Sequence, residues 1–594
     1  MAMPISGLAS CWNYKSFDLM GTNGSIIESG LKIIQDLTTN AYEIQQQVFN
    51  EILTQNVHTE YLDKFLHGNP DKNLFKEKVP IVNYEDIKPY IERIANGEPS
   101  DHIILAEPVI ELTHSSGTSS GKNKLMPLTA KDLDRRIIAR NILPWSVINK
   151  YVDGLEHGKG MYLFFARPDM MTPSGLKVRP ILTSYLGTRL FKKQISDLYT
   201  SPYSTILCLD INQSMYCQFL CGLLRRDEVL RIGAVFSFVL GRAIRFLKEY
   251  WRELCDNIRT GQLSDWITDL GCRDALSAIL NKPNPELAES IESVCSCEAW
   301  EGIIKRIWPK TKYVDVIITG SMAQYIPTLE FYCDGIPFVS SYYACSEGFF
   351  GINLEPLSKP SDISYTLLPN MAFYEFIPIN QNKEEEIEPV ELGDVKIGQC
   401  YEIVVTTFTG LYRYRVGDIL KVTGFHNNAP QFRFVERKGV LLSIDIEKTS
   451  EDTLLKAVTK ATLHIEPLGI VLMDYSSYAD ASSIPGHYVL FWELKMREGM
   501  DDLPAEFHNS KIVEECCNIV EDSLDYVYRV MRKDKRIGPL EIRVVKQGTF
   551  DVLMGFFVSK GTSISQYKTP RCIKSEDALK MMDSMVVGRY FSQN

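Results

Sequence analysis

Apolar side chains recur at helical spacing through "LKIIQDLTTNAYEIQQQVFNEIL", which predicts a helical region over about 31–100. Residues 1–30 are mixed and glycine-containing and read as a loose N-terminal arm. "KDLDRRIIARNILPWSVINKY" is helix-like up to Pro144, where a proline is expected to interrupt it. Three later segments, "MYLFFA" (161–166), "KYVDVIITG" (312–320) and "PFVSSYYA" (337–344), are strand-like and almost continuously apolar. They alternate with helical stretches such as "GRAIRFLKEYWRELCDNI" (241–258), a pattern that predicts sheets covered on both faces. The longest apolar run, "IGAVFSFVLG" (232–241), is far short of a membrane span and reads as a buried helix.

Beyond residue 380 the texture changes. "NQNKEEEIEPVELGD" (380–394) is acidic and reads as a surface loop, and "YEIVVTTFTGLYRYRVGDILKV" alternates like antiparallel strands around a glycine turn. After "FRFVERKGVLLSIDIEKTSEDTLLKAV" the chain begins afresh, with a helix (451–464), the strands "GHYVLFWELKM" and "LEIRVVKQ", and a helix near 507–530. The expected fold is α/β. A large N-terminal domain (31–437) of helix-covered sheets and a β-barrel-like unit is joined by a hinge (438–447) to a smaller α+β C-terminal domain (448–594).

A chain of 594 residues is too long for one ordinary core, in keeping with that division. The net charge of −11 argues against phosphate-backbone binding, so no nucleic acid partner is expected. "MAMPISGLASCWNYKSFDLM" lacks a basic start followed by an apolar stretch, so the expectation is a cytoplasmic protein with no membrane partner. The fourteen cysteines are then expected as reduced thiols. Neither Cys295/Cys297 nor Cys516/Cys517 repeats with zinc-ligand spacing, and no histidine cluster completes a metal motif.

One short stretch carries candidate chemistry: "HSSGTSSGKNK" (114–124). A Walker A loop places four residues between its glycines before Lys-Ser/Thr. Here Thr118, Ser119 and Ser120 alone separate Gly117 from Gly121, and Asn123 stands where the hydroxyl belongs. What remains is a hydroxyl- and glycine-rich turn whose backbone N–H groups suit an anion, or a turn that caps itself. Three companions stand further along: "YYACSEG" (342–348), "YRVGD" (414–418) and "QYKTPR" (566–571). By themselves these also admit plain readings, namely a core tyrosine, turn carboxylates and a solvated lysine.

Their order resembles that of the adenylating superfamily of acyl-CoA synthetases, peptide-synthetase adenylation domains and luciferases. The longer forms "SSGTSSGKNKLMP", "YYACSEGFFGINL", "GLYRYRVGDIL", "NNAPQFRFVERK" and "GTSISQYKTPRCIK" resemble the Gretchen Hagen 3 acyl acid amido synthetases of plants, nearest the branch with benzoate-conjugating members. The resemblance runs from about residue 30 to the C-terminus. It implies an enzyme that adenylates a carboxylic acid with ATP and Mg²⁺, then passes the acyl group to an amino acid amine. An acyl-CoA ligase shares the first half of that reaction, and a hormone-binding protein would share the fold alone.

The residue roles follow from the resemblance. Ser115, Ser116, Gly117, Thr118 and Ser119 would contact phosphates, and Thr319, Gly320 and Ser321 would lie against adenine. Tyr343 would pack on adenine beside Ala344, Cys345 and Ser346. Asp418 would accept the ribose hydroxyls, with Arg437 a second ribose candidate. Glu347 would hold Mg²⁺, and Lys568 would bridge α-phosphate and acid from a C-terminal domain that closes for adenylation and rotates for the amine. Arg140, Leu143, Leu240 and Met322 would line the acyl pocket. Benzoate-type relatives place an arginine where Leu143 stands, so a bulkier or less polar acid is expected, such as an indole-alkanoic auxin or its precursor indole-3-butyrate. Arg140, one turn earlier, either substitutes for that arginine or solvates a helix face. A monomer is expected.

Overall fold

The computed structural model describes residues 23–114, 124–379, 388–437, 441, 442, 444, 447, 449–480, 482, 485–496 and 511–593. They form two compact units that divide between Val435 and Glu436.

In the first unit helix α1 (Asn23–Thr39) starts inside the stretch expected to be a loose arm. It packs on the long helix α2 (Ala130–Tyr151) through Gly30, where a Cβ would stand 2.0 Å from Ser146 Oγ. Glycine is a poor helix former, so tertiary contact rather than periodicity defines this segment. Helix α2 also runs straight through Pro144 to Tyr151. The proline removes one backbone donor, but the turn around it is buried, with Ile142, Leu143, Ser146 and Val147 all packed, and that packing holds the helix together.

Strand β1 (Glu111–His114) leads into the serine-rich stretch and β2 (Leu125–Leu128) leads out of it, antiparallel to β1. A parallel four-stranded sheet follows, built from β3 (Lys159–Leu163), the central β6 (Val229–Phe236), β7 (Tyr313–Ile317) and β8 (Phe338–Val339). Short strands β4 (Met170–Met171) and β5 (Lys177–Arg179) extend the β1–β2 sheet. The run expected to be one buried helix is instead the end of β6 followed by helix α3 (Ser237–Thr260). A central parallel strand and a buried helix share the same unbroken apolar pattern, and burial between β3 and β7 decides for strand.

"PFVSSYYA" likewise splits, into β8 and β9 (Tyr342–Ala344), which belong to different sheets. The break is polar. Ser340 Oγ hydrogen-bonds Tyr365 Oη at 2.8 Å, and Asn353 donates to the carbonyls of Ser340 (3.2 Å) and Ser341 (2.9 Å). From here β10 (Phe349–Ile352), β11 (Tyr365–Leu367), β12 (Phe373–Pro378), β13 (Val390–Glu391), β14 (Cys400–Thr406), β15 (Tyr414–His426) and β16 (Ala429–Arg437) join β9 in an eight-stranded antiparallel sheet. Its order is β13-β12-β14-β15-β16-β11-β10-β9. The acidic stretch expected as a loop lies outside the described residues up to 387, and its end pairs as β13. Glu391 is neutralised there by Lys72 at 2.6 Å and by Lys76.

The second unit holds helix α4 (Glu451–Ile465), β17 (Ile470–Asp480), β18 (His487–Met496), β19 (Glu541–Val545) and β20 (Val586–Phe591). The strands pair in chain order, with β18 and β19 parallel. The helix expected near 507–530 is two helices, α5 (Lys511–Ser523) and α6 (Tyr526–Lys533). Asp525 caps the second by accepting from Tyr528 N at 2.9 Å, which is why the chain breaks there. No described helix is long and apolar enough to cross a membrane.

Candidate active site

Asp418 sits on β15 just after Gly417, whose φ of +84° is open to glycine and strained for other residues. The start of β15 is tied down by Arg413, a non-glycine residue at φ +46°. Its guanidinium pairs with Glu375 through two bonds (3.0 and 2.9 Å) and donates to the carbonyls of Lys76 (2.7 Å) and Val79 (2.9 Å). A buried bidentate pair of this kind holds the left-handed residue in place and fixes the strand that carries Asp418.

Tyr343 on β9 donates from Oη to Asp418 Oδ2 at 2.7 Å, and both side chains are buried. Tyr365 stands beside Tyr343, ring centroids 6.0 Å apart, and hydrogen-bonds Thr319 Oγ1 at 3.3 Å. Thr319 opens the turn after β7. Gly320 there has φ +62°, and a Cβ on it would stand 3.0 Å from the Phe434 ring. Ser237 Oγ secures the same turn by donating to the Met322 carbonyl at 2.8 Å. Thr319, Gly320, Tyr343 and Asp418 therefore converge on one face.

The turn from β9 to β10 carries Cys345, Ser346 and Glu347 and is closed by Cys345 N to Gly348 O at 2.9 Å. Arg136 of α2 grips it, donating to the carbonyls of Ser346 (3.3 Å) and Glu347 (3.2 Å), while its Nε is held by Asp132 Oδ2 at 2.6 Å. The Glu347 carboxyl is buried and lies 3.5 Å from Tyr414 Oη, which in turn lies 3.5 Å from Lys124 Nζ. The lysine that ends the serine-rich stretch thus shares a partner with Glu347. Arg136, Tyr365 and Tyr414 were not among the residues expected from sequence. Only the i,i+4 spacing of Asp132 and Arg136 marked the first of them.

Ser115, Ser116, Gly117, Thr118 and Ser119 lie outside the described residues. Arg437 is exposed at the end of β16, past the division between the units. Leu143, Leu240 and Met322 are sealed in packing, whereas Arg140 is half-buried and donates to Tyr342 Oη at 3.0 Å.

Lys568 lies in the second unit, half-buried in a loop whose neighbours Tyr567, Thr569, Pro570 and Arg571 are buried. Thr569 Oγ1 donates to Asp474 Oδ2 at 2.7 Å and Arg571 to Asp474 Oδ1 at 2.8 Å. Ser476 and Ser477 of β17 bond the Pro570 and Arg571 carbonyls, and Ile573 N donates to Ser477 O at 2.8 Å. The loop is pinned along β17 on its C-terminal side, which fixes where Lys568 emerges.

Elsewhere in the first unit Cys208, Asp269 and Cys272 place potential ligand atoms within 4.8 Å of one another, a grouping their sequence spacing did not reveal. Asp269 Oδ1 caps a helix by accepting from Cys272 N at 2.8 Å, and burial pushes the Cys208 thiol up to about 12.

Two separate units, with a Tyr–Asp pair and a gripped carboxylate turn in one and a pinned lysine loop in the other, form the architecture of an acyl acid amido synthetase. It matches the solved structure of AtGH3.15 acyl acid amido synthetase in complex with 2,4-DB with a TM-score of 0.88 at 52% identity, covering 96% of this chain and 98% of that one. The chain belongs to the GH3 family: the family's N-terminal domain matches residues 30–338, its central domain 365–437 and its C-terminal domain 452–577. It is 58% identical over 592 residues to indole-3-acetic acid-amido synthetase GH3.17 of Arabidopsis thaliana, covering 95% of this chain and 96% of that protein. To the 4-substituted benzoates-glutamate ligase GH3.12 of the same plant it is 51% identical over 572 residues, covering 96% and 99%. The chain is a ligase of the acyl acid amido synthetase kind.

Proposed function

We propose that this chain joins an auxin-type indole-alkanoic acid, indole-3-acetate or a longer precursor such as indole-3-butyrate, to the amine of an amino acid. A carboxylate oxygen of the acid attacks the α-phosphorus of ATP, the P–O bond to pyrophosphate breaks, and an acyl-adenylate forms. The amine then attacks the acyl carbon, loses a proton, and displaces AMP to leave an amide.

The observation that carries this reading is the 2.7 Å bond from Tyr343 to Asp418, which fixes an aromatic ring and a carboxylate side by side. The ring suits the adenine face and the carboxylate suits the paired ribose hydroxyls. Glu347 is a hard oxygen donor of the type Mg²⁺ takes, held by the Arg136 grip on its backbone. Bound there, Mg²⁺ would neutralise phosphate charge. Lys568 supplies a second positive charge for the negative charge that develops on the α-phosphate as the acid attacks. The choice of an indole acid draws on the name of the relative at 58% identity.

A panel of acids crossed with amino acids, with MgATP present and AMP release and amide mass as readouts, tests the proposal. Indole-alkanoic acids should give both products. AMP release that requires coenzyme A in place of an amino acid would replace it with a thioester-forming ligase.

A further inference from the structure

Successive strand residues face opposite ways, so while Tyr343 turns to Asp418, Tyr342 turns to Arg140 on α2. Behind β9 this leaves a recess in which Arg140, Asp315 of β7, Tyr342 and Tyr199 are each half-buried. The Arg140 guanidinium is sandwiched by two rings, 4.7 Å from the Tyr185 centroid and 5.4 Å from that of Tyr342. Opposite Asp315 in register stands Gly233 of β6, where a Cβ would collide with the Tyr162 ring at 2.9 Å. The Asp315 backbone carbonyl would stand closer still, at 2.4 Å, so glycine there lets β6 fit between Tyr162 and β7.

Within the protein, Asp315 has few donors close to its carboxylate. Its hydrogen bond is a long one, 3.4 Å from Ser341 Oγ to Oδ1. Among the described residues no ion pair within 4.0 Å reaches it, although Arg140 and Arg231 both pull on its charge. Burial lifts its carboxyl to about 6 against that pull. A carboxylate with an acceptor oxygen open to the recess, walled by aromatic rings, fits an aromatic group with an N–H on its edge. A ring oxygen at that edge would set a lone pair against the negative charge.

We infer that Asp315 is a specificity-determining residue that accepts a hydrogen bond from the ring N–H of the acyl acid, so that the enzyme distinguishes indole acids from isosteres lacking that donor. The inference rests on the indole-acid reading above and extends it to a named contact. The recess lies within the first unit, between the helix that follows the serine-rich stretch and the strand that bears Tyr343.

ATP–pyrophosphate exchange with indole-3-acetate and with 1-benzofuran-3-acetate, which replaces N–H by oxygen in the same ring shape, tests it without an amino acid. The wild-type kcat/KM should favour the indole acid by about tenfold to a hundredfold, the range for a hydrogen bond to a charged group. Asp315→Asn should bring the two acids to within about threefold of each other, mainly by loss on the indole acid. Its retained exchange with the benzofuran acid reports that the variant is folded. Equal use of the two acids by the wild type, or an unchanged ratio in Asp315→Asn, overturns the Asp315 assignment and leaves the ligase reading standing. Exchange with neither acid overturns the indole-acid reading and this inference together.

Discussion

Tyr343 and Asp418 share a 2.7 Å hydrogen bond that ties strand β9 to strand β15 at the centre of the candidate nucleotide face. The proposed function gives the carboxylate and the ring separable duties, so their substitutions should diverge. Asp418→Asn keeps the shape but removes the charge that ribose hydroxyls would meet. The expected result is a rise in KM for ATP with kcat/KM down about tenfold to a hundredfold. Tyr343→Phe keeps the ring and should change the same constant by less than about threefold. Steady-state kinetics at varied ATP read both, and equal losses would deny the division of labour.

Arg136 acts through the backbone. It grips the Ser346 and Glu347 carbonyls while Asp132 holds its Nε, so a lysine cannot reproduce its planar fork. Arg136→Lys should loosen the turn, weakening the apparent Mg²⁺ dependence of adenylation and lowering kcat about tenfold or more. A titration of Mg²⁺ at saturating ATP checks this, with thermal unfolding alongside. A kcat loss with unchanged Mg²⁺ dependence would mean the grip only holds the fold.

Lys568 emerges from a loop pinned to β17 by Thr569 and Arg571 on Asp474. Lys568→Ala removes the charge but none of those bonds, so the second unit should stay folded. Pyrophosphate release should fall by about a hundredfold or more, the scale for losing a donor at a developing charge. Amide formation from supplied acyl-adenylate should persist. Equal loss of both half-reactions would deny Lys568 its role in adenylation.

These residues divide by how far the sequence discloses them. Asp418 and Lys568 stand in short motifs whose neighbours serve them: Gly417 takes the left-handed turn, and Thr569 and Arg571 anchor the loop. Chemistry and its local support therefore lie together in the chain. Arg136 was missed because its partners are backbone carbonyls more than two hundred positions away, which no side-chain pattern records. Asp315 was missed because, at mid-strand in an apolar run, nothing local distinguishes an acid facing a recess from one facing water. The fold shows the same division. Helices with a clear apolar stripe were legible, whereas "IGAVFSFVLG" and "PFVSSYYA" needed the sheets on either side to say where strand ends. Pro144 and Gly30 misled in the same direction, since local propensity argued for a break that the packing of α1 on α2 overrides.

Glu541 on β19 couples the stability of the second unit to pH. Burial pushes its carboxyl up, but bonds from His487 (3.1 Å) and Arg543 (2.8 and 2.7 Å), with the charges of Arg543 and Arg589, outweigh burial and bring it down to about 2. A carboxylate depressed below its unfolded value of 4.5 contributes stability above that pH and loses it as pH falls toward the folded value. The shift corresponds to about 3 kcal/mol at neutral pH. Glu541→Gln should therefore destabilise the second unit by about that amount at pH 7, with the gap from wild type closing between roughly pH 4.5 and 2. Hydrogen exchange of the β18 and β19 amides in the full chain, followed by mass spectrometry across that range, reads the unit directly. A difference between variant and wild type that stays constant with pH would mean that Glu541 acts through packing rather than charge.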